Sequence, residues 1–420
     1  MKTSREIRNF AKLEISATPE SKRMKYYIIA GEASGDLHGS NLIKELKRLD
    51  AGAEIRCWGG DLMQAAGGTL VKHYRDLAFM GFAEVAMNLK TILANLKFCK
   101  EDIMQFKPDV LVLIDYPGFN LRIAKWMREM RNKELEIRKE KGNNSSPFTK
   151  IIFYISPQVW AWKESRVPKM KKYIDKMLVI LPFEKDYYKN KWDWDVEYTG
   201  HPLVQVIDHF KEANQTSNPV RSARPGGIKP QTSNIIALLP GSRKQEIAKK
   251  LPIMLEVSKS FPDHQFVVAK AAALDDEFYA GFMHSYSNVS SVKNKTYELL
   301  VQAKAALVTS GTATLETALF EVPEVVCYKG SNISYQIAKR LVKIKYIALV
   351  NLIMDKPVVK ELIQDELTVE NLRHELSQLL HDPQRQRQLQ RDYHELKQML
   401  SAGGDASANA AHIIFKFSSA

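Results

Sequence analysis

Along the chain, short runs of β-branched and aliphatic residues alternate with longer stretches whose apolar positions recur every three to four residues. The first pattern marks strands buried on both faces and the second amphipathic helices, so their alternation predicts βαβ units around a parallel sheet. In the first half the strand candidates are Tyr26 to Ala30, Glu54 to Trp58, Val110 to Ile114, Ile151 to Ile155, Met177 to Ile180 and Val196 to Tyr198. In the second half they are Ile235 to Leu239, Gln265 to Ala269, Ala305 to Val308 and Glu324 to Tyr328. Two doubly wound halves follow.

Breaks in the pattern divide the chain. Residues 1–23 are polar and basic without periodicity and predict a disordered extension, with Met24 read as an alternative or true start. A first domain spans 24–211. Glu212 to Ser233 carries Asn, Thr, Ser, three Pro and a Gly-Gly pair, the composition of a surface linker. A second domain spans 234–372. Residues 373–420 read as C-terminal helices, charged to about Leu400 and ending in a small-residue tail. Lys133 to Ser146 reads as a helix end and loop.

Composition narrows the class without choosing a function. With 420 residues, 45% hydrophobic and 26% charged, the chain is long enough for two domains with full cores. Lys plus Arg exceed Asp plus Glu by 61 − 48 = 13, a surplus suited to nucleotide phosphates, nucleic acid or an anionic membrane. Cys57, Cys99 and Cys327 lie far apart with no metal-ligand spacing, which supports neither a disulfide framework nor a zinc site and fits a reducing cytoplasm. No apolar run approaches the roughly 18 to 20 residues of a membrane span, and the N-terminus lacks a signal-peptide core. The expectation is a soluble or peripheral protein.

In open parallel sheets ligands bind beyond the carboxyl ends of the strands. Four segments sit there, each of which would also serve as a plain strand-to-helix turn. GEASGD, Gly31 to Asp36, offers small residues and free N–H groups at a helix start, with Ser34 as a substrate-side candidate. It is not G-x-G-x-x-G, so a dinucleotide fingerprint is unsupported. In LVLIDYPGFN, Leu111 to Asn120, Asp115 emerges from a buried strand, where a carboxylate suits a general base or caps the turn. In ALLPGSRKQE, Ala237 to Glu246, Ser242 and Arg243 suit phosphate oxygens. In ALVTSGTATLE, Ala306 to Glu316, the helix start suits a second phosphate and Glu316 a ribose hydroxyl, with Thr312 as ligand or N-cap.

Two anion-suited strand ends in one half and an acid in the other describe a two-domain nucleotide-sugar enzyme. The fold class expected is α/β of GT-B architecture, two doubly wound Rossmann-like domains facing a cleft. Rival readings are another UDP-N-acetylglucosamine-type transferase or epimerase and, in a different class, a basic nucleic-acid-binding protein motivated by the +13 charge.

Read in order, GEASGD, IDYPGFN, SPQVWAW (Ser156 to Trp162), YTGHPL (Tyr198 to Leu203), LPGSRKQE, SGTATLE and NLI…KELIQ (Asn351 to Gln364) resemble the lipid-A-disaccharide synthase family, from about Met24 to His381. The resemblance implies transfer of 2,3-diacylglucosamine from UDP to the 6-hydroxyl of 2,3-diacylglucosamine 1-phosphate, with inversion to a β-1,6 linkage. It places Asp115 as catalytic base, Glu32 as a first-domain site residue, and Arg243, Glu316 and Asn351, with Ser242, Thr312 and Gln364, on the nucleotide side. It implies no cofactor and no metal, and no Asp-x-Asp motif of a cation-bridged nucleotide is present. The implied partners are the two acylated sugars and the cytoplasmic face of the inner membrane, with no nucleic acid and with oligomeric state left open. The chain departs from the family pattern at Ala348, at Leu349-Val350 and at Lys356-Pro357.

Acylated substrates give the apolar features a second meaning. Phe82, Val85, Ala86, Leu89, Ile92, Leu93 and Leu96 mark one helix face, read as core with a residual surface for acyl chains or membrane. Trp160 and Trp162, beside Lys163, Arg166, Lys169, Lys171 and Lys172, suit a lipid headgroup or the acceptor phosphate, or equally plain packing beside a solvated basic helix. His201 in YTGHPL is expected to stabilise a turn or line the site rather than act as a base.

Overall fold

The structure, a computed structural model, describes residues 23–77, 89–161, 163–216, 234–271, 274–330 and 345–419, with 141–147 also outside the description. The expected N-terminal extension, most of the 212–233 linker, Trp162 and the Phe82–Ala86 part of the apolar stripe therefore lie outside the described residues.

The strands are β1 (Lys25–Ala30), β2 (Glu54–Gly59), β3 (Thr69–His73), β4 (Val110–Ile114), β5 (Lys150–Tyr154), β6 (Lys176–Val179), β7 (Glu197–Tyr198), β8 (Ile235–Leu239), β9 (Gln265–Lys270), β10 (Val289–Lys293), β11 (Ala305–Thr309), β12 (Glu324–Tyr328) and β13 (Lys360–Ile363). The helices between them are α1 (Ala33–Leu49), α2 (Asp61–Ala65), α3 (Leu89–Phe106), α4 (Pro117–Glu140), α5 (Val167–Tyr173), α6 (Pro182–Trp192), α7 (Pro202–Thr216), α8 (Lys244–Val257), α9 (Asp276–Met283), α10 (Thr296–Gln302), α11 (Thr312–Leu319) and α12 (Leu349–Met354). α13 (Val369–His381), α14 (Pro383–Ser401) and α15 (Ala406–Ser419) close the chain.

Two parallel sheets result, ordered β3-β2-β1-β4-β5-β6-β7 and β10-β9-β8-β11-β12-β13. Each is doubly wound, with its order reversing between the first strand and the fourth. Side chains alternate across a strand, so Tyr27, Ile29, Leu111, Leu113 and Phe153 fill one face of the first sheet. Tyr26, Ile28, Val110, Val112 and Tyr154 fill the other. A separate core surrounds the second sheet, from Ile236 and Leu238 through Leu307, Val326 and Leu362.

The chain crosses between the lobes twice. After β7, α7 packs on the second sheet: Leu203, Val204 and Ile207 join its core, and Phe210 meets Tyr297 and Phe320 edge-on. α14 contributes Leu389, Tyr393, Leu396 and Leu400 to the same core. The chain then turns at Gly403-Gly404 and returns as α15 to the first lobe.

The sequence reads the last residues as a tail, whereas they form a helix. Alanine favours helix, Asp405 accepts the Ala408 N–H at 2.8 Å, and Ala410, Ala411 and Ile414 are buried against the first sheet's core. The two crossings touch. A side chain on Gly403 would stand 2.6 Å from the Gly200 backbone, and Asn409 Nδ2 donates to the Thr199 carbonyl at 3.1 Å.

Candidate functional site

β1 and β4 are neighbours in register, Ala30 opposite Ile114, so the loops that follow them emerge side by side. Glu32 is the extended residue before α1, and it and Ser34 are exposed. Asp36, predicted only as part of a motif, is buried and accepts the N–H groups of Gly60, Leu62 and Met63, which fixes the start of α2. Gly31 lies flat against the Tyr116 ring; an added Cβ would fall 2.3 Å from a ring carbon, so glycine is the residue that lets the two loops approach.

Asp115 and Tyr116 both take left-handed backbone, at φ 43° and 47°. Non-glycine residues hold that conformation at a cost that the surroundings must offset. Asn120 supplies much of it. Fully buried, its Nδ2 donates to the Asp115 carbonyl at 2.8 Å, to Ile114 at 3.2 Å and to Ile29 at 3.4 Å, tying the ends of both strands together. Burial pushes the Asp115 carboxyl up to about 6; the charge of Glu32 adds to the rise and a hydrogen bond from the Tyr116 backbone opposes it.

Glu184, on α6, is a further acid that sequence reasoning missed. It is 1% exposed, accepts the Trp160 indole N–H at 3.2 Å and the Leu181 N–H at 3.0 Å, and is pushed up to about 8 by burial, with Asp115 adding to the rise. Its sequence signal is an acid five residues beyond the end of the buried strand β6. Trp160 thus packs edge-on to Phe183 and fixes Glu184 through its N–H, rather than sitting free at a surface. His201 is buried with its Nδ1 accepting from the Leu203 N–H, and burial holds it down at about 3, so its ring is neutral and stabilises the turn.

In the second lobe β8 and β11 are neighbours, Leu239 opposite Val308. Gly241, at φ 115°, gives the turn before exposed Ser242. Arg243 stands at the N-cap position of α8 in extended backbone and pairs with Glu246 at 3.0 Å, its guanidinium mostly exposed. Gly311, at φ 143°, precedes α11, with Thr312 exposed at its first position. Glu316 accepts from the Tyr297 hydroxyl at 2.9 Å through Oε1, and burial raises its pKa above the ordinary carboxylate value.

Asn351 and Gln364 are placed differently from the other nucleotide-side candidates. Asn351 is 1% exposed; its Oδ1 accepts from Val359 N–H at 2.9 Å, and its Nδ2 donates to the Val359 carbonyl and Glu361, each at 2.9 Å. Glu361 also accepts from the Ile347 and Ala348 backbone, and Ser310 donates to the Ile347 carbonyl at 2.9 Å. Asn351 therefore braces the loop that leans on the β11 end. Gln364, buried at φ 54°, accepts from Gly330 N–H at 2.6 Å. Lys356, where the chain departs from the family pattern, pairs with Asp392 at 2.9 Å and Glu395 at 2.7 Å and so anchors α12 to α14.

The structure thus gathers Glu32, Ser34 and Asp115 at adjacent strand ends of one lobe, and Ser242, Arg243, Thr312 and Glu316 at adjacent strand ends of the other. These features define an α/β enzyme of GT-B architecture. In solved structures the same fold occurs in a UDP-GlcNAc 2-epimerase from Neisseria meningitidis bound to UDP-GlcNAc, at 12% identity and TM-score 0.59 over 94% of this chain and 99% of that one. It also occurs in a calicheamicin glycosyltransferase, at 17% identity and TM-score 0.54 over 94% and 99%.

Sequence comparison goes further than fold. Residues 26–415 match the family model described as lipid-A-disaccharide synthetase. A lipid-A-disaccharide synthase of Syntrophus aciditrophicus is 35% identical over 91% of this chain and 95% of its own length, and a lipid-A-disaccharide synthase 1 of Legionella pneumophila is 36% identical over 89% and 93%. The chain belongs to the lipid-A-disaccharide synthase family and is a glycosyltransferase of lipid A biosynthesis. Neither the epimerase nor the nucleic-acid-binding reading is favoured.

Proposed function

We propose that the chain condenses UDP-2,3-diacylglucosamine with 2,3-diacylglucosamine 1-phosphate by a single inverting displacement. Asp115 takes the proton of the acceptor 6-hydroxyl as that oxygen bonds to C1 of the donor sugar; the C1–oxygen bond to UDP breaks with its electron pair, leaving UDP. The observation that carries this reading is the Asp115 site: a carboxylate held at the end of a buried strand and raised to about 6 is ionised at neutral pH yet basic enough to accept a proton. Glu32 and Ser34, beside it, hold acceptor hydroxyls.

Opposite them, Arg243, Ser242 and the α11 N-terminus stabilise the charge growing on the diphosphate, and Glu316 accepts from the ribose. Gln364 and Asn351 shape this side through the loops they brace. The acyl chains run along the exposed apolar residues of α3, Leu93, Phe98 and Met104, which lie among Lys90, Lys97 and Lys100 and suit the cytoplasmic face of an anionic inner membrane. No described helix is long and apolar enough to cross a membrane.

The test is incubation of the purified protein with both acylated sugars, followed by mass spectrometry. The expected products are a tetra-acylated disaccharide phosphate and UDP in equal amounts. Turnover of deacylated UDP-glucosamine at the same rate, or formation of an epimer without a disaccharide, would refute the proposal.

A further inference from the structure

On α8, Ile247, Lys250, Leu251 and Met254 form a buried stripe at helical spacing, and one of the four is a lysine. Lys250 is 2% exposed. A buried ammonium is rare unless it is paired with a charge, because its lost hydration must be replaced. Among the described residues its hydrogen-bond partner is a neutral hydroxyl, Thr309 Oγ1, and it makes no ion pair with a carboxylate. Burial lowers its pKa; Glu246 and Cys327 oppose that shift, and Arg243 adds to it.

Its position explains what such a charge is for. Nζ lies 3.7 Å from where a Cβ on Gly241 would stand, directly under the turn after β8, and its partner Thr309 is the last residue of β11. One side chain therefore binds the end of β11 and reaches toward the turn after β8, the two strand ends whose loops present Ser242, Arg243 and Thr312. Among the described residues Glu246 is the carboxylate that acts on Lys250, and it is already paired with Arg243 at 3.0 Å, so it offsets the Lys250 charge only in part.

We propose that Lys250 is a positioning residue for the diphosphate of the leaving nucleotide. It fixes the β8 and β11 loops relative to each other through Thr309 and supplies a desolvated positive charge behind them, which bound diphosphate neutralises. The proposal rests on the donor-site reading above.

The test is calorimetric titration of wild type, Lys250→Met and Thr309→Val with UDP and, separately, with uridine, together with thermal unfolding of each. Lys250→Met is expected to weaken UDP about tenfold, the effect of losing one charge-assisted contact. Uridine affinity should be unchanged, and Tm unchanged or raised, because removing a buried unpaired charge relieves its desolvation. Thr309→Val, which keeps the charge but cuts the tether, should weaken UDP by less and again spare uridine; it serves as the test if the methionine variant does not fold. UDP affinity equal to wild type, or equal losses for UDP and uridine, would overturn the proposal. A wild-type protein that binds no UDP overturns the donor-site reading, and this inference with it.

Discussion

If Asp115 is the base, its raised pKa must appear in the rate. A solvated aspartate titrates near 3.8, and burial with Glu32 nearby places Asp115 at about 6. Only the ionised form accepts the acceptor's proton, so kcat/KM should follow the ionised fraction: about nine-tenths at pH 7 and about one-tenth at pH 5. An unperturbed aspartate would still be almost fully ionised at that lower pH. The expected profile is flat above neutrality and falls about tenfold for each unit below 6.

Glu32→Gln removes the like charge and should move this limb to lower pH; the shift is partial, since burial is the larger cause. The stability sign runs opposite to the activity. A carboxyl raised on folding binds its proton more tightly in the native state, so its contribution to stability declines as pH climbs from about 4 to about 6. The assay is initial-rate UDP release in buffers of constant ionic strength. A profile still flat at about pH 5, or an identical limb in the residual rate of Asp115→Asn, would refute the reasoning.

Further substitutions separate the other roles. Arg243→Ala should weaken UDP binding by about tenfold with little change in Tm, because its partner Glu246 stays partly solvated; unchanged affinity in a titration removes it from the donor site. Gly31→Ala forces a methyl into the Tyr116 ring and should cost about 1–3 kcal/mol in denaturant unfolding and disturb Asp115, with turnover falling more than UDP affinity. Asn351→Ala leaves the Val359 backbone without its side-chain partners and Glu361 with only its Ile347 and Ala348 contacts, and should destabilise by about 1–3 kcal/mol; full stability with lost UDP binding would instead make it a direct ligand.

Most of the ten predicted strands were legible because a strand buried on both faces leaves an uninterrupted apolar run, as in Val110–Ile114 and Ile235–Leu239. The strands that escaped, Thr69–His73, Val289–Lys293 and Lys360–Ile363, are all sheet edges, partly exposed and carrying lysines and serines where no second neighbour requires apolar residues. The site loops were legible as Gly, Pro and polar residues at strand ends. What held them was not: the bracing role of Asn120 needs carbonyls from Ile29, 91 positions away, and Glu184 acquires its character only through folding against Trp160. Lys250 left a trace in the sequence, a charge in an apolar stripe, whose meaning depends on Thr309 in another strand.

The division of labour between the lobes is tested most directly by determining the structure of the protein with UDP bound. The account predicts the diphosphate between the Gly241–Arg243 turn and the Gly311–Thr312 helix start, the ribose on Glu316, and the Asp115 carboxylate free of the nucleotide. UDP seated on the Gly31–Asp36 loop of the first lobe, with the Arg243 and Thr312 loops empty, would contradict it.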